Sequence, residues 1–391
     1  MDITFIRHTD RFVGDILCAI LKLFKIKYNK LDRNKINKIL ILKIWGIGSV
    51  INCMPAVKAL RKEFPNSKMI FLTMQNNKGL YDDNKQLIDE IIYISIKNIF
   101  SLMRDTIKTL AYLRKEKIDL FIDLEIISRF TAILSFLSGA KIKIGYKTSG
   151  LSRDMLYDIQ IEYKSNSHIK NIFYDSVRDV VSKNGDMSLV KPVFTKKDTT
   201  SSEEILRQNN LKKKEYIVIN VNSSYIVKER AWPLQNFAKL SDHILDNFKI
   251  KLIFIGSKPE ANGINLCLNM MQHDALNLAG KTNLKQLSYL IGNSKLLITN
   301  DSGPLHMGVM MGTPSVSFFG PETPVLYGPM HKKLHHVFYN KIPCSPCISI
   351  YNAKQVKCTK NAECMSLIKE SEVELVVDRL LLGMGTKHKK R

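Results

Sequence analysis

The chain has 391 residues, of which 45% are hydrophobic and 24% are charged. This composition is ordinary for a globular protein and excludes disorder across most of the chain, and the length is sufficient for two or three domains. The formal net charge of +23 predicts anionic partners. Nucleotide phosphates, phosphorylated lipids, an acidic membrane surface and nucleic acid all fit this charge, which does not choose among them.

The first segment, residues 1–35, has the pattern of a short amphipathic basic helix. Apolar residues recur at near-helical spacing from Phe12 to Phe24, and lysines accompany them as far as Lys30. No run in the sequence reaches the roughly 18 apolar residues of a membrane span, and the charged residues do not fit a cleaved signal peptide. We therefore predict a cytoplasmic protein. The helix within Phe12–Tyr28 either lies on an anionic membrane surface or packs on the protein's own core.

From Lys38 onward, short β-branched runs alternate with helical patterns, which predicts parallel sheets flanked by helices. The first series of predicted strands comprises 39–44, 69–73, 90–94, 120–124 and 142–146. The second series comprises 216–220, 251–256, 275–278, 295–300, 315–320 and 336–339. A basic, polar run covers Lys191–Ser202, and residues 196–204 indicate a linker that leads into a capped helix. We predict domains at 36–195 and 196–382, followed by a basic tail at 383–391 that is either solvated or bound to acidic lipid.

A strand, a tight turn and a helix are predicted around Asn300-Asp301-Ser302-Gly303-Pro304. Pro304 suits the first helical position, and Asp301 or Ser302 can cap the amides before it. Such a helix end binds anions at the carboxyl edge of a parallel sheet. The alternative is an ordinary crossover in which Gly and Pro only shape the turns.

Three stretches together resemble glycosyltransferase family 9, which includes the ADP-heptose:lipopolysaccharide heptosyltransferases. The first stretch is 301–306 together with 312–314 and 319–321. The second is the strand, glycine loop and helix at 39–65, and the third is 220–233. The resemblance implies an α/β protein of the GT-B fold, in which two Rossmann-like doubly wound domains face a cleft. It implies inverting, metal-independent transfer of a sugar such as heptose from a nucleotide-diphosphate donor such as ADP-heptose.

The implied acceptor is lipopolysaccharide or another anionic lipid-linked glycan, reached from the cytoplasmic face of the inner membrane. No cofactor is required for this transfer. Other interpretations are a catalytically silent sugar-nucleotide-binding protein and a nucleotide-sugar epimerase of the same fold. Nucleic acid is not a predicted partner, because the sequence contains no recognisable nucleic-acid-binding module.

The resemblance assigns donor binding to the second domain. Arg230, two residues before Trp232, would contact the diphosphate, while Glu260 would bind ribose hydroxyls or only begin a helix. His306 would donate to a phosphate or pack within its helix. The complete set of predicted donor-binding residues is Ser223, Ser224, Lys228, Arg230, Gly256, Glu260, Asp301, Ser302, Gly303 and His306.

The catalytic base is where the sequence departs from the family. Gly46 and Gly48 lie in the predicted acceptor-binding loop, but Ser49 stands where the family carries an aspartate, and an unassisted serine is a poor base. Asp123 and Glu125 follow the fourth predicted strand, with Glu125 at its carboxyl end. The catalytic candidates are therefore Glu125, Ser49 and Asp123, and the alternative is that both acids cap the next helix.

Four of the seven cysteines cluster near the end of the chain: Cys344, Cys347, Cys358 and Cys364. The first two have the Cys-x-x-Cys spacing of a zinc ribbon, so the four thiols are candidate ligands of a structural metal. The alternative is four unligated cysteines. In a long intracellular chain, a disulfide framework is not expected.

Overall fold

A computed structural model describes residues 3–25, 32–148, 152–182, 185–223, 227–352 and 357–386. The chain divides into two compact units, Met1–Val193 and Phe194–Arg391. Residues 26–31 of the predicted amphipathic segment lie outside the described residues, as do Ser224 and residues 387–391 of the predicted basic tail.

Each unit contains a sheet of six strands. The first sheet consists of β1 (Lys38–Leu42), β2 (Lys68–Met74), β3 (Glu90–Ile94), β4 (Leu120–Asp123), β5 (Ile142–Lys147) and β6 (Ile159–Glu162). The second consists of β7 (Tyr216–Asn220), β8 (Lys251–Phe254), β9 (Leu276–Asn277), β10 (Leu296–Asn300), β11 (Ser315–Phe319) and β12 (His335–Tyr339). All eleven predicted strands are present, and β6 is the one that the sequence pattern did not predict.

The helices connect or flank these strands. Those of the first unit are α1 (Ile3–Lys22), α2 (Ile47–Glu63), α3 (Ile99–Glu116), α4 (Arg129–Leu137) and α5 (Ile169–Asp175). Those of the second are α6 (Lys196–Gln208), α7 (Leu234–Asn247), α8 (Ala261–Leu268), α9 (Leu284–Asn293), α10 (Gly303–Met311), α11 (Pro324–Tyr327), α12 (Glu363–Ser366) and α13 (Glu370–Gly383). None of the described helices is long and apolar enough to cross a membrane.

Both sheets have the same doubly wound order. The strands run β3-β2-β1-β4-β5-β6 in the first unit and β12-β11-β10-β7-β8-β9 in the second, and every pairing is parallel. This order places the switch in winding direction between β1 and β4, and between β7 and β10. The predicted α/β class with two Rossmann-like domains is confirmed.

The central strands are buried because apolar residues occupy both of their faces. β1 and β7 are almost entirely buried, as expected for parallel strands covered by helices on both sides. In the second unit, Trp232 stacks on Phe318 with ring centroids 4.4 Å apart and donates to the carbonyl of Ile368 at 2.9 Å. This core fixes the loop that carries the predicted diphosphate-binding arginine.

The predicted linker at residues 196–204 is helical instead. Thr195 caps α6 by accepting from the amide of Asp198, whose carboxylate in turn accepts from the amide of Thr195. The helix therefore begins at Lys196 and contains the whole of the predicted linker, so the linker prediction is wrong. The capping pair satisfies the first amides, which allows a polar, charged stretch to start a helix.

Candidate active site

Two asparagines end the neighbouring strands β7 and β10. The side chain of Asn220 donates to the hydroxyl of Ser302 at 2.9 Å and to that of Thr299 at 3.1 Å. Asn300 donates to the carbonyl of Val221 at 2.9 Å. Both asparagines are buried. These bonds join the two loops at the switch point of the second sheet, which is where doubly wound sheets bind ligands.

Helix α10 begins at this edge without the predicted cap. The hydroxyl of Ser302 donates to the carbonyl of Asn300 at 3.1 Å and contacts Thr299 instead of the helix amides. Asp301 is engaged by Arg230. The prediction that Asp301 or Ser302 caps this helix is therefore wrong, because both side chains have other partners. The first amides of α10 thus have no side-chain cap from either residue, which leaves them available to an anion.

Arg230 lies beside this helix end. One guanidinium nitrogen, Nη2, pairs with the buried carboxylate of Asp301, and only 19% of the arginine side chain is exposed. Burial lowers the pKa of Arg230. The negative charges of Asp301 and then Glu322 raise it by more, so the pKa of Arg230 lies above its ordinary value. Its Nε is buried and has no acceptor among the described residues. A permanently charged donor with an unused N–H suits a phosphate oxygen.

A second unused donor lies in the loop after β7. The Nδ2 of Asn222 is buried and has no acceptor within the described part of the chain. A Cβ added to Gly256 would lie 2.8 Å from this nitrogen, so the glycine lets the two loops approach closely. The carboxylate of Glu260 accepts from the amide of Ser257 at 2.6 Å and from its hydroxyl at 2.7 Å. Glu260 thus begins a helical turn, which was the alternative to its ribose-binding role.

The remaining residues that were predicted to bind the nucleotide-sugar donor differ in their exposure. Lys228 is exposed, and Ser223 is half-buried with its hydroxyl 3.3 Å from the carbonyl of Val227. His306 is buried, with its ring 6.3 Å from that of Tyr327. Arg230, Lys228 and Ser223 therefore lie on one short segment, while His306 lies in the first turn of α10.

On the first sheet, Glu125 organises the loop after β1. Its Oε1 accepts from the ammonium of Lys43 at 2.6 Å and from the amides of Ile44 and Trp45 at 2.8 Å each. Both Lys43 and Glu125 are buried. All three donors bind the same oxygen, so Glu125 can reach a substrate only through Oε2.

Asp123 belongs to a separate buried cluster. Its Oδ2 accepts from Arg153 at 2.9 Å and from the hydroxyl of Tyr157 at 2.5 Å, while Oδ1 accepts from the amide of Glu125. Burial raises the pKa of Asp123, although Arg153 and the hydrogen bonds act against it. Neither Asp123 nor Glu125 caps α4, because that role falls to Ser128 and to Asp10 from α1.

We predict that the Asp123–Arg153 pair is mainly structural. Arg153→Met should lower the free energy of unfolding by about 3–5 kcal/mol, because it leaves a buried carboxylate without its cation. Urea denaturation measures this loss. The control is Lys141→Met, which removes an exposed lysine from Asp119 and should cost less than about 1 kcal/mol, because the amides of Asn37 and Lys38 still donate to that carboxylate. Equal losses in the two variants would contradict the assignment.

The predicted acceptor loop begins α2. Gly46 has φ of 79°, a left-handed conformation that favours glycine, and Gly48 is buried with its carbonyl accepting from Asn52 at 2.7 Å. Ser49 is half-buried in the first turn of the helix. The loop therefore places Ser49 at the carboxyl end of β1, on the same sheet edge as Glu125.

The four clustered cysteines are free thiols. Cys364 is buried, Cys347 and Cys358 are half-buried, and Cys344 is exposed. Among the residues that the structure describes, no group of three or more His, Cys, Asp or Glu is placed to hold a metal ion. A structural metal at these cysteines stays a prediction, which elemental analysis of protein purified without chelator would test.

Several polar residues of these edges were not predicted from the sequence. They are Lys43, Asn220, Asn222, Asn300 and Glu322. Lys43, Asn220 and Asn300 end or directly follow a strand, and Asn222 lies two residues beyond one, so position after a strand was the available signal for these four. Glu322 is 2% exposed and lies near Arg230, but it follows the motif at 319–321, so local spacing gave no indication of it.

Two doubly wound domains, the second with hydrogen-bond donors at its switch point, define the class of α/β proteins whose ligands bind at the carboxyl ends of the strands. The family model for glycosyltransferase family 9 (heptosyltransferase) matches residues 107–357, more than half of the chain. The chain belongs to this family. It is thus a heptosyltransferase-like glycosyltransferase, and the resemblance seen in the sequence is confirmed.

Individual relatives are distant but span most of the chain. The lipopolysaccharide core heptosyltransferase OpsX of Haemophilus influenzae is 23% identical over 74% of this chain and 80% of its own length. A family 9 glycosyltransferase structure from Veillonella parvula has a TM-score of 0.71 at 23% identity, over 89% of this chain and 97% of that one. The ADP-heptose lipopolysaccharide heptosyltransferase II of Escherichia coli has a TM-score of 0.68 at 18% identity, over 89% and 99%. These structures share the fold.

Proposed function

We propose that the protein is an inverting heptosyltransferase that transfers heptose from ADP-heptose to a lipopolysaccharide core acceptor at the cytoplasmic face of the inner membrane. The second unit would bind the donor and the first unit the acceptor. The observation that carries the proposal is the buried, unpaired Nε of Arg230 beside the uncapped start of α10. The names of the relatives in Haemophilus influenzae and Escherichia coli support the choice of lipopolysaccharide core and ADP-heptose.

The donor's diphosphate would meet positive charge at the edge of the second sheet. Arg230 would bind a phosphate oxygen through Nε, and α10 would offer its positive end to the same group. As the bond between the anomeric carbon and the diphosphate breaks, negative charge grows on the leaving ADP. Groups that are already fixed stabilise that charge without reorganising. Transfer by this route draws its stabilisation from protein donors.

The acceptor's hydroxyl oxygen would attack the anomeric carbon from the face opposite the diphosphate, which inverts the configuration. A base must take up the proton of this hydroxyl group, and we propose that Oε2 of Glu125 is that base. The bonds of Oε1 to Lys43, Ile44 and Trp45 hold the carboxylate at the end of β4. Such positioning is what a general base requires. Ser49, from the neighbouring loop, would contact the acceptor without taking its proton.

A thermal-shift screen of nucleotides tests donor binding. We expect ADP and ADP-sugars to raise the melting temperature more than UDP, GDP or their sugars. A ligand at 100 times its dissociation constant stabilises the folded state by about 2.7 kcal/mol. The matched control is Arg230→Ala, in which the shift should shrink. Stabilisation by UDP or GDP but not by ADP would contradict the proposed donor.

A further inference from the structure

Helix α1 has two different faces. Gly14 and Cys18 are buried against the first unit, and a Cβ at Gly14 would lie 2.5 Å from the Cβ of Arg129 in α4. The opposite face is apolar and exposed. Its large side chains, including two in the turn after the helix, are Phe12, Val13, Ile16, Leu17, Ile20, Leu23 and Phe24. The helix is therefore fixed to the fold on one side and presents an apolar stripe on the other.

Helix α3 repeats this arrangement. Its inner face contains Thr109 and Leu113, which are buried. Its outer face exposes four large apolar side chains at helical spacing: Ile99, Phe100, Met103 and Ile107. Phe100 is 80% exposed, which is unusual for a phenylalanine in a folded domain. A second apolar stripe thus lies outside the core of the same unit.

The two striped helices are both neighbours of α4. α3 connects β3 to β4 and α4 connects β4 to β5, and both crossovers move in the same direction across the sheet. Right-handed crossovers therefore place both helices on the same face of the sheet. Helix α4 contacts both α1 and α3. The two helices that carry exposed apolar stripes therefore share a neighbouring helix.

The acidic residues of these two helices are paired within the protein. Asp15 binds the guanidinium of Arg129 at 2.9 Å, and Asp10 accepts from the amides that begin α4. Asp105 accepts from the amide of Ser95 and pairs with its neighbour Arg104, and Glu116 pairs with Lys38. None of these four carboxylates is left to repel an anionic surface.

The exposed charges around the stripes are basic. They are Arg11 and Lys22 on α1, and Lys97, Lys108, Arg114 and Lys115 on or beside α3, whereas Arg104 is paired with Asp105. An apolar stripe flanked by lysine and arginine is the pattern of helices that lie in the headgroup region of anionic bilayers. A second protein chain would not require this charge. The net charge of +23 also favours binding to an anionic bilayer.

We infer that α1 and α3 together form a docking surface for an anionic lipid bilayer, with the apolar stripes inserted among the headgroups. The inference rests on the proposed function, since it identifies the surface by which the enzyme would reach a membrane-embedded acceptor. It adds α3 to the helix that the sequence had suggested. Two separate helices would also set the orientation of the first unit on the bilayer.

Vesicle co-sedimentation of the full chain tests the inference. The wild type should pellet with vesicles of phosphatidylglycerol and phosphatidylethanolamine, and much less with phosphatidylcholine alone. The α1 variant Ile16→Gln/Ile20→Gln and the α3 variant Phe100→Gln/Met103→Gln should each weaken the partition about tenfold or more. The control variant Leu266→Gln/Leu375→Gln removes two exposed leucines of the second unit and should pellet like the wild type.

The outcomes separate this inference from the proposed function. Loss of binding in the α1 and α3 variants, with an unchanged ADP-induced thermal shift, would support the docking surface. Wild-type protein that does not pellet with anionic vesicles would overturn it. So would α1 and α3 variants that pellet as the wild type does. Concentration-dependent dimers that both variants abolish, without vesicle binding, would assign the surface to a second copy instead. A failed ADP shift would count only against the proposed donor.

Discussion

Arg230→Ala is expected to weaken ADP binding by about ten- to a hundredfold. The side chain offers an unused, buried N–H next to the start of α10, and one charge-assisted hydrogen bond contributes roughly 1.5–3 kcal/mol. Isothermal titration calorimetry measures the change directly. The control is Lys228→Ala, which removes an exposed cation two residues away and should weaken binding much less.

The same substitution has a second consequence that must be measured alongside binding. Asp301 is 3% exposed, and Arg230 is the cation that neutralises it. Removing the arginine should therefore also destabilise the second unit, by about 3–5 kcal/mol if the carboxylate stays buried. Binding should be measured well below the melting temperature of the variant. Unchanged affinity in folded Arg230→Ala protein would show that Arg230 does not contact the donor.

Glu125→Gln is expected to abolish transfer while donor binding stays intact. Loss of a general base typically lowers kcat by roughly 10²–10⁴. Glutamine has the same shape, so its carbonyl oxygen can still accept from the amides of Ile44 and Trp45. Steady-state kinetics should show a lower kcat with little change in the KM for the donor. Ser49→Ala serves as the control and should reduce kcat much less.

The pH profile separates a base from a residue that only positions the loop. A base gives an acidic limb in the dependence of kcat on pH, and Glu125→Gln should remove that limb. A purely positional role would lower kcat by a similar factor at every pH. Full activity in the variant would contradict any catalytic assignment of Glu125. Because Lys43 loses its buried partner, urea unfolding of the variant should be recorded as well.

The fold was largely predictable because parallel strands give a strong signal. Strands such as β1 and β7 are buried on both faces, and this burial appears in the sequence as short, continuous apolar runs. Strand β6 was missed because it is not buried on both faces. It lies at the edge of its sheet, where Ile159 and Ile161 alternate with exposed Gln160 and Glu162, and the run looks polar.

The site was predictable only in outline. Motif and strand order indicated which loops lie at the edge of the second sheet, and Arg230, Asp301 and Ser302 do lie there together. Local patterns could not show which partners those side chains choose. Asp301 binds an arginine 71 positions earlier in the chain, and Asp10 caps a helix that begins about 120 positions later. Such long-range pairing is set by packing, which sequence spacing does not encode.

The most direct test of the account is a transfer assay with purified protein, ADP-heptose and lipopolysaccharide that lacks core heptose. We expect release of ADP that depends on the acceptor, and a product whose mass has grown by one heptose, with the anomeric configuration inverted in the NMR spectrum. Wild-type protein that binds ADP-heptose but gives no product with any core acceptor would contradict the proposed transfer.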